Sequence, residues 1–518
     1  MNRSKLKVVP ILSAALIVWL GACAIAQAPS SQSHTLATPL PLSGRGGQNG
    51  SVTAVEAPIA GTTNSVTTIN PSVQVQGPYT GSSSSTANLP FSGKLSLRDA
   101  IQRGLDYNLG ATGLNRAVRQ AQGQTQIARS ALLPNVSGYL AETLTQVNLA
   151  AQGLRIHIPI PGFSFPTIVG PYNNIDLRGS VSQSIVDLTA INNYRSSNDL
   201  YHAAQFSARD ARDAVVLAVC GAYLQVLATV ERVKSAHAQL DTATALYNQT
   251  QQKRQVGLAP QIDVDRSDVE QLTQQQRVIS LETELAKEKI SLARMTGLPI
   301  GGDYDLTDVA PFAAAPTAPT LTLDDAIHQA LDHRADIKAA EAQVRAAGHT
   351  LSAARDERLP SLSVNGNYGA IGTNPAQASA TFSAAATLSI PIWQGGRTEG
   401  DIHQAEASLA QRQAELEDLK GQVESDVRNA YLDLQAATTQ VKLAQRNLQV
   451  NKETLDLTRQ RFDAGVTDNV EVVQAQESLT SAELDQINSV FAHNVAKLSL
   501  ARSTASAADN LQQFLDLK

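Results

Sequence analysis

Chemistry in this 518-residue chain would need a nucleophile beside a base, a set of metal ligands or a phosphate-binding loop, and the sequence is poor in all three. His328 and His333 lie five positions apart, off the four-residue spacing that puts two histidines on one helical face, and both read as solvated. The run GGDYDLTD at 301–308 has the carboxylates of a calcium loop without its later ligands, and reads as a linker turn. Cys23 and Cys220 lack partners at metal or disulfide spacing, and Cys220 reads as a small packing residue in a helix. No catalytic residue, metal or cofactor is expected, and the chain is not expected to be an enzyme. What does recur is a pair of similar glycine turns, RQVGLAPQIDVD at 254–265 and RFDAGVTDNVEV at 461–472, each interrupting sequence that otherwise reads as helix.

The composition says what kind of body carries those turns. A net charge of -6 and no basic patch argue against nucleic acid as a partner. Aromatic residues are only 4%, which favours long helices over a thick globular core. At the N-terminus, Arg3, Lys5 and Lys7 precede the apolar run VVPILSAALIVWL and then small residues, the layout of an export signal over 1–28. Two cleavage readings stand side by side: LGAC ends in Cys23 as a lipobox would, marking Cys23 for lipidation, and AIA before Gln27 suits an ordinary signal peptidase. No other segment has the roughly 18 consecutive apolar residues of a membrane helix. Entry of the mature chain into a membrane would have to be as β-strands.

The ordered part is duplicated. LSLRDAIQRGLDYN from Leu95 pairs with LTLDDAIHQALDHR from Leu321, ARSALLPNVS with ARDERLPSLS, GAYLQVLAT with NAYLDLQAA, and Gly257 with Gly465. The register shifts once, where the first half alone carries GLRIHIPIPGFSFPTIVGPYNN. This divides the chain into repeat 1 over 94–307, a Pro-rich linker over 308–320, repeat 2 over 321–505 and a tail over 506–518. Ahead of repeat 1, residues 29–93 are rich in Ser, Thr, Pro, Gly and Gln, a composition that predicts disorder.

Within each repeat the period changes. Ser96 or Thr322 is placed to cap a helix that runs on to Pro134 or Pro360. Two-residue alternation follows, as in Leu362, Val364, Gly366 and Tyr368 against Ser361, Ser363, Asn365 and Asn367. It predicts strands at about 135–149, 175–187, 361–372 and 380–392, near the length of tilted membrane strands. Helical spacing then returns as heptads through Val215, Val219, Ala222 and Val226, and through Val423, Val427, Ala430 and Leu434. From about residue 190 to Gly257 this predicts one helix of roughly 100 Å. Gly257 and Gly465 break the helices, and a second helix returns from each to form a hairpin.

Four strands cannot close a barrel in lipid, so the chain must oligomerise. Two copies give eight strands, whose interior side chains fill, whereas three give twelve and leave a lumen. Taken together, the duplication, the LP junctions, IPIWQGGR at 390–397, AYLDL at 430–434 and RFDAGVTDNVEVVQAQ resemble the TolC-type outer-membrane efflux factors over about residues 94–505. The resemblance implies a mainly α protein with membrane β-strands, a homotrimer whose twelve-stranded β-barrel in outer-membrane lipid continues into a periplasmic α-helical barrel. Its function would be an exit duct for a tripartite efflux pump or a type I secretion system, working with a periplasmic adaptor and an inner-membrane transporter.

The resemblance also implies roles for residues of the two turns. Gly257 and Leu258, with Gly465 and Val466, fall at the tips where adaptors dock, although plain helix capping also accounts for the glycines. Glu471, Gln474 and Asp263 fall where the family constricts its pore, although a solvated helix face also accounts for them. A carboxylate ring in a narrow passage favours cations. Phe462 and Thr467 replace a tyrosine and an arginine that tether neighbouring tips in some relatives, so the closed state is expected to be held differently. The rival reading is a periplasmic or secreted coiled-coil scaffold, which leaves the duplicated strand pairs unexplained.

Overall fold

A computed structural model describes residues 52–59, 68–83, 93–151, 153, 166–308, 322–467 and 469–505. Cys23 and the export signal lie outside the described residues. The first half runs β1 (Val52–Ile59), β2 (Thr68–Val75), β3 (Lys94–Leu95), α1 (Leu97–Tyr107), α2 (Leu109–Ser130), β4 (Asn135–Asn148), β5 (Ile168–Val186), α3 (Leu188–Gln255), α4 (Gln261–Thr296) and β6 (Asp305–Leu306). The second runs α5 (Leu323–His333), α6 (Ala335–Asp356), β7 (Ser361–Gly372), β8 (Ser379–Ser389), α7 (Arg397–Asp463) and α8 (Asn469–Ser503).

Each half starts at a side-chain cap: the Ser96 hydroxyl accepts from the Asp99 amide and the Thr322 hydroxyl from the Asp325 amide. The single helix expected to run from there to the proline is in fact broken, at Asn108 in one half and at Arg334 in the other. Asn108 is fully buried, and its side chain caps the Gly110 amide and donates to the Tyr79 carbonyl at 2.8 Å. Arg334 holds Asp336 at 2.7 Å and Asp426 at 3.4 Å. Asn108 gives the chain a local alternative to the helical ladder, and Arg334 is held by two carboxylates, in both cases without disturbing the apolar spacing on either side, so periodicity did not reveal the break.

The region expected to be disordered is also corrected. Within 29–93, β1 and β2 form an antiparallel hairpin from Val52↔Val75 to Ile59↔Thr68. The hairpin lies on α3 and α8, and Val73 fills the space over Gly221, where an added Cβ would come within 2.5 Å of it. Its few apolar residues find their partners on helices far away in sequence, which composition does not register.

The core gathers Leu95, Leu97, Val215, Val219, Tyr223, Leu292 and Leu498. GGDYDLTD closes it: β6 pairs in parallel with β3, and Asp308 accepts from the Leu97 amide and the Tyr223 hydroxyl, each at 2.7 Å. The apolar window of α3 is long enough to cross a membrane, but 78% of it is buried here as core.

α3 and α7, 68 and 67 residues long and each about 100 Å at about 1.5 Å per residue, pass through this belt, with Val215–Tyr223 near the middle of α3. Packing of α3 on α4 and α8, and of α7 on α8, orders the four long helices α4, α3, α8, α7. At one side of the belt the strands pair antiparallel in the order β4, β5, β7, β8. β5 starts at Ile168, earlier than alternation indicates, because its backbone keeps pairing with β4 as far as Ile168↔Asn148. β8 ends at Ser389, short of Ile390 and the proline that follows.

Candidate functional site

The two glycine turns adopt one geometry. Gly257 has φ +74° and Gly465 φ +72°, a left-handed conformation open at low cost only to glycine. The Leu258 amide donates to the Lys253 carbonyl at 2.7 Å and the Val466 amide to the Arg461 carbonyl at 2.9 Å, the long bond that closes a helix C-terminus. In such a cap the residue after the glycine commonly packs back on the helix. Here Leu258 is 78% exposed and Val466 69% exposed, leaving an apolar side chain at the apex of each hairpin.

The acids flank these turns. Asp263 is in the first turn of α4 and Glu471 in the first turn of α8, where the helix dipole favours a carboxylate. Asp263 lies 3.7 Å from Arg266, and Glu471 lies 3.2 Å from Arg461 in the last turn of α7. Gln474 is exposed one turn beyond Glu471, while Val472 and Ala475 turn inward to pack with Leu246 and Leu455.

Sequence reasoning missed the contact that joins the hairpins. The Lys253 ammonium sits 3.8 Å over the Phe462 ring and 3.9 Å from an Asp463 carboxylate oxygen. Gln249 donates to that same oxygen at 3.0 Å. These partners are some 200 residues apart in sequence, and no motif announces them.

At the other end, the sheet separates its faces. Ser137, Ser180, Asn367 and Ser383 align as one row across all four strands, with Ser137 and Ser180 at 2.7 Å and Asn367 donating to Ser383 at 2.8 Å. Arg178 is clamped by Asp176 on this polar face, opposite Gly369, where a Cβ would meet the Leu177 carbonyl. The other face presents Val136, Leu140, Leu177, Val181, Tyr368 and Phe382, all exposed. Just past β8, Ile392 and Trp393 are also exposed, as suits the boundary between lipid and water.

A sheet with one apolar face and strands of membrane length, joined to helices of about 100 Å, defines a β-type membrane channel protein with a long helical extension. Residues 114–298 and 326–506 match the family described as outer membrane efflux protein, one segment in each half. The chain belongs to this family.

It is 25% identical over 427 residues to the pyoverdine export outer membrane protein OpmQ of Pseudomonas putida, covering 79% of this chain and 83% of that one. It is 25% identical over 444 residues to outer membrane protein OprJ of Pseudomonas aeruginosa, covering 80% and 84%. The fold is shared with the Campylobacter jejuni CmeC outer membrane channel at a TM-score of 0.68 and 16% identity, covering 82% of this chain and 90% of that one. The protein is thus an outer-membrane efflux channel that extends into the periplasm, and the scaffold reading is set aside.

Proposed function

We propose that three copies form the channel, with twelve strands closing a barrel in the outer membrane and the helices closing a periplasmic α-barrel beneath it. The observation that carries this reading is that the protomer is unsatisfied along both edges at every level. β4 and β8 each have one unpaired side among the described residues, which lipid does not tolerate. The edge helices repeat the pattern. α4 buries Val264 and Val278 against its neighbour, yet shows a second heptad stripe of Ile262, Val269, Leu272, Ile279 and Ile290, 47% to 63% exposed. α7 buries Val423, Val427 and Val441, yet shows Leu432, Leu443, Val450 and Leu457, 42% to 65% exposed.

Counted away from Gly257 and Gly465, three apolar pairs of the two stripes fall into register, while Ile262, Val269 and Leu457 fall opposite Gln460, Glu453 and Asp265. Leu272 meets Val450, Ile279 meets Leu443 and Ile290 meets Leu432, while polar Gln276 meets Arg446 and Thr283 meets Thr439. Such a head-to-tail contact closes into a ring. Three copies are favoured over two because eight strands leave no duct.

The duct is passive, serving a tripartite efflux pump or a type I secretion system, with an adaptor docking on the tips and an inner-membrane transporter supplying the energy. Exposed Leu258 and Val466 support the docking role, since an apolar side chain at each apex suits a partner helix. Leu258→Glu is expected to abolish site-specific crosslinking to the adaptor while trimers persist. Undiminished crosslinking would remove Leu258 from the docking surface.

Glu471, Gln474 and Asp263 mark the constriction in this reading, and the Lys253 contact with Phe462 and Asp463 is the tether that holds the tips closed. An ion pair and a cation–π contact at a half-exposed site amount to about 1 kcal/mol, roughly fivefold in an open fraction. Lys253→Gln should therefore raise resting conductance in planar bilayers severalfold. Conductance at the wild-type level would show that the hairpins are held elsewhere.

A further inference from the structure

We infer that the constriction is a ring of ion pairs and that Arg461 sets its ion preference by neutralising Glu471. This rests on the proposed placement of Glu471 at the pore, and it departs from the carboxylate ring implied by family resemblance.

The geometry is specific to this tip. Arg461 occupies the last turn of α7 and Glu471 the first turn of α8, the helix ends that favour a cation and an anion respectively. The turn through Gly465 folds these ends together, leaving guanidinium and carboxylate 3.2 Å apart within one protomer. Neutralisation therefore needs no neighbouring copy. The other candidate acid is similarly supplied, Asp263 having Arg266 one turn along at 3.7 Å. Lys253, in the last turn of α3, is engaged by Asp463 and the Phe462 ring.

Both members of the Arg461–Glu471 pair are half exposed, and such a pair adds little stability. Ion preference depends on something else, the summed field in the passage. Opposite charges 3.2 Å apart act on a passing ion as a dipole, whose potential falls off faster than that of a lone charge. Three bare carboxylates would favour potassium over chloride, whereas three pairs would discriminate weakly.

The test is the reversal potential of the full-length channel in planar bilayers under a potassium chloride gradient at low ionic strength. Wild type is expected to be weakly selective. Arg461→Gln should raise the cation-to-anion permeability ratio about tenfold at low salt, where screening is least. Glu471→Gln should shift it toward anions, the double variant should return close to wild type, and Arg461→Lys should retain wild-type behaviour. Heat-sensitive trimer bands and unchanged far-ultraviolet circular dichroism would show that each variant is folded.

If Glu471→Gln shifts the reversal potential and Arg461→Gln does not, the pairing is wrong and the constriction stands. A shift in Arg461→Gln that persists unchanged in the double variant also overturns the pairing. If neither single variant moves the potential, Glu471 does not line the constriction, and both the placement and this inference fall.

Discussion

Leu443→Glu is expected to abolish the trimer. The exposed stripe on α7 is left open by the described residues, and Leu443 lies at its centre, 65% exposed. In the proposed ring it packs against Ile279 of the next copy. Burying a leucine is worth about 1.5–3 kcal/mol, and a carboxylate in the same dry seam would add a desolvation penalty of several kcal/mol. The seam occurs three times per ring, so the losses act together on one assembly step. Unheated gels and size-exclusion chromatography of detergent-extracted protein should show monomer in place of trimer. Ile279→Lys should do the same alone, and combining it with Leu443→Glu should restore part of the trimer by placing opposite charges face to face. Trimers surviving in both single variants would mean that α4 and α7 do not meet.

Arg502→Ala is expected to lower stability by about 3 kcal/mol, because it strips the cation from a mostly buried set of carboxylates. Arg502 donates to Asp210 at 2.5 Å and lies 3.7 Å from Asp213, joining the end of α8 to α3. Burial works against its charge, yet Asp210 and Asp213 outweigh burial and hold its pKa above the ordinary guanidinium value. The set extends further. Burial also opposes ionisation of Asp336, but hydrogen bonds and charge from Arg334, helped by Arg502, hold this carboxyl below its usual range. Removing Arg502 leaves two acids partly buried without their main counter-charge, so Asp210→Ala in the same chain should recover part of the loss. Thermal melting followed by circular dichroism reads both effects. A midpoint unchanged by Arg502→Ala would show that water reaches this junction freely.

The duplication and the change of period within each half were legible because they rest on local rules. Alternation at Leu362, Val364 and Tyr368 follows from a strand whose two faces meet different solvents. The heptads through Val423 and Val427 follow from a helix with a packing neighbour. The second stripe, through Leu432 and Leu443, is not legible in the sequence, since one helix carrying two stripes is merely apolar until packing occupies the first. The hairpin over Gly221 was illegible for a related reason: Val73 is ordered by α3 and α8, and its own neighbours are polar and flexible in composition.

The candidate site divides in the same way. Gly257 and Gly465 stand out in sequence because a positive φ admits little else, and the exposure of Leu258 and Val466 fits the apex of a turn. Nothing in the sequence pairs Arg461 with Glu471, or Lys253 with Phe462 and Asp463.

By itself, then, the sequence determined the duplicated strands, the long helices, the glycine turns between them and the family, because each depends on residues within a few turns of one another or on a motif that repeats. Only the tertiary structure decided which charges neutralise which, which faces of the long helices remain open, and that part of a low-complexity segment is a packed hairpin. Those outcomes depend on distances between side chains hundreds of residues apart. Helix rotation and the fold of the whole chain set such distances, and neither is encoded in local spacing.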